Sequence, residues 1–145
     1  VSGFILTAIL TLAPTLEYGT AARYADDIYA ACGDERDLCY ALVATQHAES
    51  AWRPDVERCE VTGDGGRAVS AFQLHRHWWA GYSREEVCKS NGRAAWLAAG
   101  ALVVLEHRTG GMIGAMRAYV GCAPGDPRAV KRIQAYRRIR GGAWL

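Results

Sequence analysis

Apolar positions recur at a helical period along most of the chain. Leu16, Ala21, Tyr24, Ala25 and Ile28 predict a helix over residues 15–32, closed by Gly33. Asp34 follows as a candidate N-cap, with Glu35 and Asp37 in the first turn of a second helix. That helix should run to about Ser50 and stop before Pro54. The pattern then changes over 57–74. Val61, Val69 and Phe72 flank the turn-forming cluster Thr62-Gly63-Asp64-Gly65-Gly66, which predicts a short β-hairpin. Ser83-Arg84-Glu85-Glu86 is a capping box that opens a helix near 84. Another helix spans about 92–108 and is broken by Gly110-Gly111, and a further one follows to Val120. Asp126-Pro127 supplies an N-cap and a first-turn proline for a last helix to about Arg140, ended by Gly141-Gly142. Phe4 to Ala13 is apolar except for Thr7 and Thr11. With no basic flank and no clear cleavage site it reads as part of the fold, the alternative being a clipped export signal. The expectation is one α+β domain over residues 1–145, predominantly α-helical, without linker or repeat.

Composition supports this picture. Half of the 145 residues are hydrophobic and 22% are charged, as in a globular core rather than a disordered chain. No apolar run is long enough to span a membrane. The net charge of +2 conceals a polarity. Residues 1–60 hold ten acids and four bases, and residues 61–145 hold five acids and thirteen bases. Six of the thirteen residues from Arg128 to Arg140 are basic. Such a helix either steers the protein to a polyanion, through Arg132, Arg137 and Arg138, or is simply a solvated face. Of the five cysteines, Cys32 and Cys39 flank the Gly33 corner, while Cys59 precedes the hairpin and Cys88 follows it. Those two pairs are the expected bridges in an oxidising compartment, with Cys122 left over. No metal spacing is completed by the cysteines and histidines, and neither a metal nor a cofactor is expected.

Glu49 is the residue most suggestive of chemistry. Leu38, Leu42, Thr45 and Glu49 share one helix face, so a carboxyl continues the stripe that should meet the core. It also lies in the last helical turn, where the helix dipole disfavours negative charge. Both effects favour a protonated acid near neutral pH, which suits general acid catalysis. The alternative is a surface Glu at a frayed end or one paired with Arg53. Gln73 and His75 alternate about Leu74 and should share a face. Trp52, Trp78 and Trp79 offer either stacking faces for sugars or core packing.

Glu49-Ser50, the Gly-rich segment closing on Phe72-Gln73, and Ala118-Tyr119-Val120-Gly121 follow one another in an order that resembles the lysozyme-like superfamily. The likeness covers residues 36–140 and is nearest to the soluble lytic transglycosylases and their phage relatives. It implies a lysozyme-like fold with the hairpin beside the catalytic helix, and a monomer acting on peptidoglycan glycan strands. It implies cleavage of the β-1,4 bond between N-acetylmuramic acid and N-acetylglucosamine, with Glu49 as the catalytic acid. Ser50, Asp64, Gln73 and Tyr119 would then contact substrate. Three departures stand out: Ser70-Ala71 where the family has Gly before its aromatic-Gln pair, Val120 in place of Asn, and the presence of Asp64. Asp64 is a second carboxylate as in a hydrolysing lysozyme, or a turn residue before Gly. The competing class is a non-catalytic module binding wall glycan or nucleic acid through the basic helix. For the enzyme no nucleic acid partner is expected, and the setting would be secreted, periplasmic or phage-delivered.

Overall fold

In a computed structural model, residues 2–121 and 125–141 are described. Helix α1 (Gly3–Leu12) buries Ile5, Ala8 and Ile9 against α2 (Tyr18–Cys32) and α3 (Arg36–Ser50), so the apolar N-terminal stretch is part of the core. Glu17 caps α2, accepting from the amides of Gly19 and Thr20 at 2.8 and 2.7 Å. Asp34 does not cap α3. Its carboxylate takes the Tyr29 hydroxyl at 3.0 Å instead, and Glu35 occupies the N-cap position without a side-chain bond. Cys32 is bridged to Cys39 and Cys59 to Cys88, at Cα separations of 5.4 and 5.5 Å. The first clamps the α2–α3 corner. The second ties the segment before the hairpin to the helix that carries Cys88. Cys122 and Gly142 lie outside the described residues.

After α3 come the single turn α4 (Pro54–Glu57), a short antiparallel hairpin, and helices α5 (Arg84–Lys89), α6 (Asn91–Thr109), α7 (Met112–Tyr119) and α8 (Pro127–Gly141). The capping box of Ser83 and Glu86 is formed in full. The asparagine-to-threonine span of α6 buries Ala94, Ala95, Ala98, Ala99, Ala101 and Leu102. These small side chains let α6 lie close to α2, α3, α5 and α7 and serve as the central strut. Helix α8 returns across α3. The domain is therefore predominantly α-helical α+β, and no helix among the described residues is long and apolar enough to cross a membrane.

The hairpin differs from its expected form. Strands β1 (Ala68–Val69) and β2 (Leu74–His75) are two residues each, with Ala68 opposite His75 and Val69 opposite Leu74. Their connection is Ser70–Gln73, not the glycine cluster. Asp64–Gly66 instead form a 3-10 turn that an isolated bridge, Gly63 to Ala68, closes ahead of the strands. Ala68 thus pairs on both sides. The glycines were needed for this earlier turn, where φ is +64° at Gly65 and +90° at Gly66.

Candidate functional site

The end of α3 sets the geometry. Two residues beyond Glu49 the chain enters the left-handed region at Ala51 (φ 47°) and stays there at Trp52 (φ 62°). Neither is glycine, so the turn is strained, at a cost of order 1–2 kcal/mol per residue. Local bonds hold it. The Ser50 hydroxyl donates to the Gln46 carbonyl at 2.7 Å and accepts from the Trp52 amide at 3.2 Å. The Trp52 indole stacks near Tyr24, and its Nε1 donates to His47 Nδ1 at 2.9 Å. Ser50 is therefore buried and turned into the helix end, and it does not line the groove. That corrects its expected role as a substrate contact. Trp52 and Trp79 are likewise core residues, with the Trp79 indole donating to the Leu74 carbonyl at 3.2 Å. Trp78 is partly buried against the core, and none of the three lines the groove.

Glu49, Asp64, Gln73 and Tyr119 do come together. They line one groove of about 770 Å³ between the end of α3, the hairpin, the end of α7 and one face of α8. Further left-handed non-glycine residues sit around it: Asp64 (φ 51°), Ser70 (φ 73°) and Gln73 (φ 45°). Strain of this kind persists where surrounding structure over-determines the backbone, as at binding and catalytic clefts. Gln73 Nε2 donates to the Ser70 carbonyl at 2.8 Å, which fixes its amide. Gly63 leaves room for it, since a Cβ at that position would meet Gln73 Oε1 at 2.5 Å. Tyr119 is buried and its hydroxyl donates to the Phe72 carbonyl at 2.8 Å. It is a strut joining α7 to the hairpin loop, and burial, with help from the nearby Glu49 charge, pushes its phenol well above the ordinary range. Asp64 faces His75 Nδ1 at 3.7 Å on the exposed rim.

The partner of Glu49 is Arg132, not Arg53, which pairs with its neighbour Asp55. The Glu49 side chain is 17% exposed and that of Arg132 only 3%. Both expectations for the basic helix, steering to a polyanion or a solvated face, put Arg132 at the surface. It lies instead on the buried stripe of α8 with Ala129, Ile133 and Tyr136, and its guanidinium is 5.9 Å from the Tyr119 ring centre. Burial pushes the Glu49 carboxyl above its ordinary value. The Arg132 guanidinium pulls the other way, as do the charges of His75 and Arg128, but burial prevails. Arg132 Nε and Nη1, Thr45 Oγ1 and both amide atoms of Gln46 are buried without a hydrogen-bond partner. Helices α3 and α8 therefore carry more buried polar capacity than their own side chains satisfy.

Chemically, the arrangement offers one partly dry carboxyl that can exchange a proton, a cation that stabilises its ionised form, and a fixed amide opposite. His47, Lys131, Arg132 and Arg138 also line the groove and were not singled out as site residues from the sequence. For Arg132 a signal existed: it falls one place before Ile133, between Ala129 and Tyr136, on the apolar stripe of its helix. Comparison with family models, with curated proteins and with solved structures gives no match.

Proposed function

We propose that the chain is a peptidoglycan-cleaving enzyme that breaks the β-1,4 bond between N-acetylmuramic acid and N-acetylglucosamine, acting as a lytic transglycosylase. The observation that carries this reading is Glu49, a partly buried carboxyl with raised proton affinity in a groove of about 770 Å³. In the proposed reaction Glu49 gives its proton to the glycosidic oxygen as the bond from that oxygen to C1 breaks. The muramyl 6-hydroxyl oxygen then bonds to C1 and returns its proton to Glu49. No water is consumed. Arg132 stabilises the carboxylate between the two transfers, which lowers the cost of giving up the proton. Gln73, with an amide that both donates and accepts, would hold glycan hydroxyl or acetamide groups. Tyr119 would act indirectly, by fixing the hairpin loop against the acid.

Digestion of purified peptidoglycan followed by mass spectrometry tests the reading. Products should end in 1,6-anhydromuramic acid. Glu49→Gln should lower turnover by ~10²–10⁴-fold or more while the fold is kept. Retained turnover in Glu49→Gln would refute the role. A second reading, a hydrolysing lysozyme, draws on Asp64 lining the same groove. In that case Asp64→Asn should be as damaging as Glu49→Gln, and products should carry reducing ends.

A further inference from the structure

Helix α8 presents a stripe to the groove that the proposed reaction does not use. Lys131, Gln134, Ala135 and Arg138 line it at helical spacing, opposite His47 of α3. Neither Lys131 nor Arg138 has an ion-pair partner among the described residues. Of the two carboxylates that line the groove, Glu49 is paired with Arg132, and Asp64 lies on the exposed hairpin rim, 3.7 Å from His75 Nδ1. This end of the groove is thus a concave surface with two uncompensated cations.

His47 adds a fixed donor. Its Nδ1 accepts from the Trp52 indole, so in the neutral ring the proton lies on Nε2. Burial, aided by the charge of Arg138, lowers its proton affinity and keeps the ring neutral at neutral pH. A neutral N–H beside two cations donates without accepting, and hydrogen bonds from cations to an ionised acceptor are stronger than neutral ones. A neutral sugar has no group that calls for this. An anionic substituent does.

We infer that His47, Lys131 and Arg138 form a carboxylate-binding subsite that takes the free carboxylate of a peptide carried by the glycan. The inference rests on the peptidoglycan reading for the identity of the glycan, and it assigns the peptide-bearing sugar to the α3–α8 side of the groove. Substrate choice then depends on charge as well as on the sugar backbone, and amidation of the peptide carboxylates weakens recognition.

The test is equilibrium binding of N-acetylmuramyl dipeptide and of its carboxylate-amidated form, followed by NMR titration of the full chain. The wild type should bind the carboxylate form about 10-fold or more tightly than the amide, and Lys131→Gln/Arg138→Gln should abolish that difference. Both side chains are on the exposed face of α8, so the double variant should retain the wild-type melting profile. A wild type that does not discriminate, or a double variant that still does, overturns the subsite. Discrimination in a protein that cleaves no glycan would uphold the subsite and remove the enzymatic reading. Cleavage without discrimination would do the reverse.

Discussion

Replacing Arg132 by Met keeps an unbranched apolar stem and removes the cation that faces Glu49. Breaking one member of a buried ion pair typically costs ~3–5 kcal/mol, because the other is left charged in a dry place. Glu49 has an escape, since it is a carboxylic acid on a groove wall and can take up a proton. The direction with pH follows from this. In the wild type burial already raises the Glu49 carboxyl above its ordinary value of 4.5, and Arg132 opposes that rise. Without Arg132 the native-state value climbs further. Between the unfolded and native values the native state holds the extra proton, so stability falls as pH rises through that window. Each tenfold gain in proton affinity adds ~1.4 kcal/mol to the loss at high pH. The Arg132→Met penalty should therefore be near ~3 kcal/mol at pH 8 and smaller by ~1–2 kcal/mol at pH 5. For a domain of this size that is a drop in Tm of roughly 6–12 °C at pH 8, with a visibly smaller drop at pH 5. Thermal unfolding of both proteins at the two pH values, with the disulfides intact, is sufficient. A penalty that is equal at both pH values, or larger in acid, would mean that Glu49 does not carry the uncompensated charge. Under the proposed function the alkaline limb of the pH–rate profile should also move upward, because the acid stays protonated to higher pH.

Two smaller perturbations probe how the site is held. Cys59→Ser/Cys88→Ser opens a loop with a sequence separation of 29 and should cost ~3–4 kcal/mol, against ~2 kcal/mol for Cys32→Ser/Cys39→Ser with a separation of 7. Urea midpoints give the order, and a reversed order would show that the hairpin is anchored by its packing rather than by the bridge. Gly63→Ala should leave the melting temperature within a few degrees, since φ there is −96° and suits any residue. Its Cβ must displace the Gln73 amide, so KM for a glycan should rise several-fold with little change in kcat, and an unaltered KM would remove Gln73 from glycan binding.

Several helices were legible because they carry their own punctuation. Ser83 and Glu86 form their capping box, Pro127 opens α8, and Gly110 ends α6 at φ 83° with its amide on the Glu106 carbonyl. Such signals involve residues three or four apart, and a sequence displays them directly. The disulfides were legible on another ground, because each pair borders a corner or hairpin that the pattern already suggests. Long-range pairing of polar side chains was not legible. Glu49 was placed by its helical stripe, but its cation lies 83 residues away, and no capping or turn signal distinguishes Arg132 from the five other bases between Arg128 and Arg140. Only the alignment of Arg132 with Ala129, Ile133 and Tyr136 marks it as inward-facing, and that argument depends on knowing which face of α8 meets α3. The hairpin itself was legible, but the position of its turn was not, for a related reason. Glycines mark where a positive φ is easy, yet the turn between β1 and β2 uses Ser70 and Gln73 at positive φ, held by the Phe72 amide donating to the Ser70 hydroxyl and the Gln73 side-chain amide donating to the Ser70 carbonyl. Tyr119 then locks that loop from α7, 47 residues on. Packing from a distant helix makes this turn possible, and that same packing brings Gln73 into the groove with Glu49.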